Sequence, residues 1–262
     1  LEEALKQGVD GVWIGARTTT NPFATQQIAD ALRGVDTAVI VKNPVIPDVD
    51  LWIGAIERIY NSGVCRLAAV HRGFGTHQTS QYRNAPHWSV PIELHRRIPA
   101  LQILSDPSHI GGRRDLVAQL SQQALDLGFS GLMIECHNCP EEALSDAAQQ
   151  ITPATLRDII GSLKLRRTPV ESNVLGDYRA HIDSIDSRII ELLAERMDVA
   201  REIGRYKQQH AMAVVQHDRY NELLESAEAR AEFMGLSRSF INQIYSAVHE
   251  ESVRQQLEIE KK

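Results

Sequence analysis

Arg-Leu-Ala-Ala-Val (66–70), running straight into His-Arg-Gly-Phe (71–74), is the stretch that decides the fold of the first part of the chain. A near-continuous apolar run without alternation marks a strand buried on both faces. Four comparable runs flank it: Gly11–Ile14, Ala38–Val41, Leu101–Leu104 and Gly131–Ile134. Amphipathic stretches lie between them at Pro22–Leu32, Asp50–Ser62 and Arg114–Leu127, and the chain opens on a short helical stretch, Leu1–Gln7. Gly34, Gly63 and Gly128 are placed to stop helices before the next strand. Strand–helix alternation means an α/β fold with a parallel sheet, whose sites gather beyond the C-terminal ends of the strands.

Composition sets the outer bounds. The 262 residues suffice for two domains, and 43% apolar with 24% charged residues is ordinary globular material. A net charge of −6 argues against nucleic acid as a partner. No run approaches the ~18 apolar residues of a membrane span, and Leu1-Glu2-Glu3 does not open a signal peptide. Cys65, Cys136 and Cys139 do not make a disulfide framework, so a reducing cytoplasm is expected. The single C-x-x-C spacing at Cys136 and Cys139 reads as incidental thiols.

The composition changes at about residue 166. Arg-Arg-Thr-Pro-Val-Glu-Ser-Asn (166–173) is polar and aperiodic, which predicts a linker over 166–174 between an α/β domain (1–165) and an all-α domain (175–262). Ile182, Ile185, Ile189, Leu193, Met197, Ala200 and Ile203 then recur at three- and four-residue steps. A helix that long needs burial along its length, in a bundle or a dimer. Two further helices are expected at Asp218–Phe233 and Ser237–Glu260, with Ser237 as N-cap.

His109 in Asp-Pro-Ser-His (106–109), Glu135 in Ile-Glu-Cys-His (134–137) and Asp146 in Leu-Ser-Asp (144–146) each fall where a strand runs out into a loop. One imidazole and two carboxylates suit Mn²⁺, Fe²⁺, Co²⁺ or Zn²⁺ and disfavour Ca²⁺. A lone His is ordinarily structural, and Asp146 is equally placed to cap a helix; the argument rests on the three together. Glu135 carries most of it, because an unpaired carboxylate ending an apolar strand is costly to bury. His137, two residues on, is expected on the same side of that strand. Gly-Ala-Arg-Thr-Thr (15–19), Val-Lys-Asn-Pro (41–44) and His-Arg-Gly-Phe (71–74) set Arg17, Lys42 and Arg72 at three consecutive strand ends. Gly15 and Ala16 would let an anion approach backbone N–H groups, with Arg17 adding bidentate charge. A metal beside three cations reads as a site for a phosphorylated, carboxylated substrate. In the helical region, at ~100° per residue, Arg196 and Lys207 share a face, as do Ser252 and Gln256. Arg179 faces elsewhere, so it is expected to serve a partner chain's site.

Taken in order, Gly-Ala-Arg-Thr, Val-Lys-Asn-Pro, His-Arg-Gly-Phe, Asp-Pro-Ser-His-x-Gly-Gly-Arg-Arg-Asp and Ile-Glu-x-His with Ser-Asp-x-x-Gln-Gln resemble the C-terminal half of a 3-deoxy-D-arabino-heptulosonate 7-phosphate (DAHP) synthase. The type is the compact bacterial one, similar to 3-deoxy-D-manno-octulosonate 8-phosphate synthases, and the likeness runs to about Leu165. From Leu175, the motifs Leu-Gly-Asp-Tyr-Arg-x-x-Ile-Asp-x-Ile-Asp, Leu-Leu-Ala-Glu-Arg-Met, Ile-Gly-Arg-Tyr-Lys, Gln-His-Asp-Arg-Tyr and Glu-Glu-Ser-Val-Arg-Gln-Gln resemble an all-helical chorismate mutase.

The resemblance implies a (β/α)8 TIM barrel followed by a three-helix mutase domain that dimerises, in a bifunctional shikimate-pathway enzyme. It implies a divalent metal, Mn²⁺ first and Co²⁺, Fe²⁺ or Zn²⁺ as alternatives, on His109, Glu135 and Asp146. Ala16, Arg17, Lys42 and Arg72 would hold phosphoenolpyruvate, with Lys42 and Arg72 catalytic, and erythrose 4-phosphate would be the second substrate. In the mutase, which needs no cofactor, Arg196 and the partner subunit's Arg179 would clamp the carboxylates of chorismate. Lys207 and Gln256 would donate to its ether oxygen as prephenate forms, and Gln216, Arg219 and Ser252 would complete the pocket. Gln216 and Tyr220 depart from the family, where many mutases carry Asp and Glu. Five strands stand here for eight, so the chain is expected to be part of a longer one. The other three strands would bring a Cys as fourth metal ligand and a Lys-Pro-Arg-Thr loop for erythrose 4-phosphate; none of Cys65, Cys136 or Cys139 occupies that Cys motif. A rival reading makes the helical domain mainly an allosteric sensor of chorismate or prephenate that controls the synthase.

Overall fold

Five short strands form one parallel sheet: β1 (Gly11–Ile14), β2 (Ala38–Lys42), β3 (Leu67–His71), β4 (Gln102–Ser105) and β5 (Gly131–Leu132). The computed structural model describes residues 1–75, 81–165, 173–215 and 217–260. The strands lie side by side in chain order, as in a TIM barrel; a doubly wound sheet would reverse direction partway. The register pairs Ile14 with Val41, Lys42 with Val70, His71 with Ser105, and Ser105 with Leu132. Each strand therefore ends within one residue of its neighbour, and the strand ends form one rim.

Eight helices accompany this sheet among the described residues: α1 (Glu2–Lys6), α2 (Ala16–Thr19), α3 (Pro22–Ala31), α4 (Val49–Asn61), α5 (Ser89–Arg97), α6 (Pro107–Gly111), α7 (Val117–Asp126) and α8 (Pro153–Ser162). Side-chain caps start several of them. Asn21 accepts from the backbone N–H of Phe23 and Ala24 at the head of α3, and Asp48 accepts from Leu51 at the head of α4. Val39, Val41 and Ala69 of the sheet pack with Trp52, Ile59 and Leu94 of the helices, all buried. The indole N–H of Trp52 donates to the Val41 carbonyl at 3.3 Å, which satisfies its polar atom inside the core.

The structure corrects several expected boundaries. The fifth strand ends at Leu132, and Glu135 and His137 lie beyond it, flanking Cys136, which makes an isolated parallel bridge with Ile151. Residues 114–116 form a 3₁₀ turn before α7 begins. α5 and α8 are additions. In α5 a Pro at position 91 masks the period, while α8 carries a Thr152 cap and Pro153 at its first turn. β1 and β5 each pair on one side only, and Trp13 on β1 is 65% exposed.

The chain divides into two compact units, Leu1–Thr168 and Pro169–Lys262. Residues 166–172 of the expected linker lie outside the described residues, and helix already runs from Asn173. The second unit holds α9 (Asn173–Gln209), α10 (His217–Phe233) and α11 (Arg238–Glu260). Ser237 accepts from the Phe240 N–H at 3.3 Å, as its N-cap position predicts. α11 lies close against α9 at Gly204, where an added Cβ would sit 3.0 Å from Gln256 Cγ. Met197 and Ala200 are buried, but Ile182, Ile185, Ile189 and Leu192 of α9 remain exposed. No described helix is long and apolar enough to cross a membrane.

Candidate functional site

The rim formed by the strand ends decides what meets in the first unit. His109 sits on α6, directly after β4, and its Nε2 lies 3.7 Å from Glu135 Oε1 and 3.7 Å from Asp146 Oδ2. Donors so spaced subtend about 120° at a shared ion about 2.1 Å from each. Among the described residues these three are the one group of His, Cys, Asp or Glu arranged to hold a metal. The donor set therefore fits a borderline-to-hard divalent ion. Asp146 does not cap a helix; it takes a left-handed backbone, φ +51°, which Asp tolerates better than most residues.

A layer of polar partners orients the three. Glu135 Oε2 accepts from Gln149 Nε2 at 2.8 Å, and the Glu135 N–H donates to Ser108 Oγ at 3.0 Å. Arg83 Nη1 donates to Asp146 Oδ1 at 2.6 Å and to Gln149 Oε1 at 2.8 Å. Behind His109, Asp106 Oδ2 lies 2.8 Å from Nδ1, off the axis of a straight hydrogen bond, and 3.1 Å from Lys42 Nζ. Burial would push the Asp106 carboxyl up, but His109 and Lys42 outweigh it and hold the group below the usual carboxylate range.

The cations at the other strand ends converge on the same rim. Arg72 donates from Nη1 to Asn84 Oδ1 at 2.8 Å, and its backbone N–H donates to Asn43 Oδ1 at 2.6 Å. Burial pulls its guanidinium down from the ordinary value against the pull of Asp106, and Arg83 and Arg17 add to the lowering. Arg17 is exposed on α2 beside half-buried Ala16, while Lys42 is buried. His137 does not join the three: its Nδ1 accepts from the Cys139 N–H at 3.0 Å. Cys136 is exposed, and neither it nor Cys139 joins the metal group.

The sequence reading assigned no role to Asp106, Arg83 or Gln149. Asp106 and Gln149 lie inside motifs it used. Arg83 left one faint sign, the second Gly of Gly-Gly-Arg-Arg. Gly112 has φ +66°, and a Cβ there would fall 2.5 Å from Arg83 Cβ, so only Gly lets the Arg83 segment close over α6.

In the second unit, a cavity of about 290 Å³ is lined by Arg196, Lys207, Arg219, Tyr220, Ser252 and Gln256 among others. Arg196 and Lys207 do share a face of α9, and α11 supplies Ser252 and Gln256 one turn apart. Arg196 Nη1 donates to Ser252 Oγ at 2.6 Å, and the side-chain oxygen of buried Gln256 has no partner. Tyr220 stacks on His249 at 4.1 Å and shares a hydrogen bond with Ser246. Gln216 lies outside the described residues. Arg179 is exposed and does not line this cavity; seventeen residues before Arg196, it lies about 25 Å away along α9.

With that geometry in hand, the comparisons with known proteins are direct. The DAHP synthetase I family matches residues 3–166, and chorismate mutase type II matches residues 178–257. A phospho-2-dehydro-3-deoxyheptonate aldolase of Thermotoga maritima is 32% identical over 155 residues, covering 59% of this chain and 44% of that one. A 4-amino-4-deoxychorismate mutase of Streptomyces venezuelae is 30% identical over 84 residues, covering 32% of this chain and 82% of that one. Among solved structures, a truncated form of the Thermotoga maritima 3-deoxy-D-arabino-heptulosonate 7-phosphate synthase superposes with a TM-score of 0.54 at 30% identity, covering 61% of this chain and 58% of that chain. The chain spans about half the length of the synthase relatives it matches.

One consequence of the rim is measurable as stability. His71, the last residue of the central strand β3, is fully buried among Phe74, Trp88 and Phe129, and burial pushes its imidazole down from 6.5 to about 3. Below the ordinary value the unfolded chain takes up a proton that the folded chain refuses. Stability is therefore whole above 6.5 and should fall as pH drops toward about 3, by up to about 1.4 kcal/mol per pH unit. Urea unfolding of His71→Leu across that range should lack this one-proton slope; an identical slope in both proteins would show that His71 titrates normally.

Proposed function

The chain belongs to the DAHP synthetase I family, and from that premise we propose that it serves a bifunctional enzyme. One activity condenses phosphoenolpyruvate with erythrose 4-phosphate to DAHP, and the other rearranges chorismate to prephenate. The observation that carries the first is the meeting, on one rim of the sheet, of the His109–Glu135–Asp146 group with Lys42, Arg72 and Arg17. Arg17 and Arg72 suit the phosphate of phosphoenolpyruvate, and Lys42 its carboxylate. Asn84 and Asn43 hold Arg72 from both ends, so its guanidinium is preorganised. His109, Glu135 and Asp146 would hold a divalent metal, Mn²⁺ by preference, which would polarise the aldehyde or the attacking water as a Lewis acid.

The mutase reading rests on the cavity of the second unit. Arg196, set by Ser252, takes a carboxylate of chorismate, and Lys207 and Gln256 stabilise charge on the ether oxygen as its C–O bond breaks. The rearrangement needs no proton transfer, so positioning and electrostatics suffice. Two features of α9 support a homodimer through this domain. Its first half exposes Ile182, Ile185, Ile189 and Leu192, and Arg179 stands too far from its own cavity to enter it. The partner subunit's Arg179 then completes each site. Three unpaired cysteines support a cytoplasmic location.

His109→Ala in the full protein should abolish DAHP formation and metal binding while sparing prephenate formation. Metal-dependent synthase turnover retained in that variant would overturn the assignment. For the shared mutase site, Arg179→Ala and Lys207→Ala should each be inactive alone. After subunit exchange, mixed dimers keep one intact site in two, so activity should return to roughly a quarter of the wild-type level. No recovery despite verified exchange would mean that each site is built within one chain.

A further inference from the structure

We propose that Asp106 is a positioning residue that links metal binding to phosphoenolpyruvate binding through one carboxylate oxygen. The inference rests on the synthase reading above and concerns a residue that neither touches substrate nor ligates metal. The two oxygens of Asp106 do separate work. Oδ1 accepts from the backbone N–H of His109 at 3.0 Å and caps α6. Oδ2 faces two donors at once: Lys42 Nζ at 3.1 Å and His109 Nδ1 at 2.8 Å. Asp106 is 1% exposed and the Lys42 side chain 10%, so water screens neither interaction.

That arrangement sets the chemistry of His109. An imidazole can ligate through Nε2 only if its proton sits on Nδ1, and a carboxylate behind Nδ1 selects that tautomer. Oδ2 lies within hydrogen-bond distance of Nδ1 but off the line of its N–H. Lys42 competes for the same oxygen. When an anionic substrate draws the Lys42 ammonium toward itself, Oδ2 is left more fully to the imidazole N–H, and His109 becomes the better ligand. Phosphoenolpyruvate should therefore tighten the metal and, by reciprocity, the metal should tighten phosphoenolpyruvate by the same factor.

Asp106→Asn isolates Oδ2, because the amide oxygen can keep the cap while the amide nitrogen replaces the shared acceptor with a donor. Mn²⁺ affinity can be read from the electron paramagnetic resonance signal of free Mn²⁺, with and without phosphoenolpyruvate, alongside the unfolding temperature. The wild-type protein should bind Mn²⁺ about 5-fold or more tightly with phosphoenolpyruvate present. Asp106→Asn should unfold at a lower temperature, because it leaves the buried Lys42 ammonium without its partner, yet stay folded under the binding conditions, weaken Mn²⁺ alone by about 10- to 100-fold, and lose most of the enhancement. A direct attraction between metal and substrate would survive the substitution, so full enhancement in a folded Asp106→Asn protein overturns the proposal. Lys42→Met provides the second arm should Asp106→Asn not fold. It should bind Mn²⁺ at least as well as wild type and show no enhancement by phosphoenolpyruvate at any concentration that still binds. Unchanged enhancement there would equally overturn the link. Failure of the wild-type protein to bind Mn²⁺ would overturn the metal reading itself.

Discussion

The in-register parallel ladder is the constraint on which the first unit depends. Strands of two to five residues leave no room for a side chain to be placed by length; each is placed by where its strand stops. Because Lys42 pairs with Val70, and His71 with Ser105, the residues that follow each strand emerge side by side. A shift of one residue in any strand would turn its inward side chains outward and carry its terminal residue off the rim. The metal group, the three cations and Asp106 thus come from segments far apart in sequence, and they meet because neighbouring strands end within one residue of each other. The apolar packing beneath, centred on Trp52 and Val41, holds that ladder and contributes no chemistry of its own.

The helical unit solves a different problem. A 37-residue helix cannot bury its apolar stripe on two shorter neighbours, and it does so only in its second half, where Met197 and Ala200 meet α11. The cavity forms there, at the close approach that Gly204 permits, so the same packing that stabilises the pair of helices positions Lys207 opposite Gln256. On the dimer we propose, the unburied first half and the remote Arg179 have one explanation, a second copy of the same helix.

What could be read beforehand follows from how local each signal is. The buried strands announced themselves as apolar runs, and the stops at Gly34, Gly63 and Gly128 do have positive φ. The i, i+4 and i, i+11 pairs of the mutase cavity needed only helix geometry. The fifth strand was overread, because Met133 and Ile134 continue the apolar run after the ladder with β4 has ended. Arg83 was invisible, since its role arises from a tertiary contact over Gly112 and from no pattern in its own neighbourhood. Asp106 stood in plain view beside Pro107, but a helix cap was sufficient to account for it; only the distances from its second oxygen show more.

The chemistry proposed for the first unit turns on one ion at one place. Crystals of the protein soaked in Mn²⁺ and measured at the manganese absorption edge should give an anomalous peak within about 2.0 to 2.4 Å of His109 Nε2 and of a carboxylate oxygen from both Glu135 and Asp146. An occupied manganese site elsewhere on the protein, with no anomalous density between those three side chains, would contradict it.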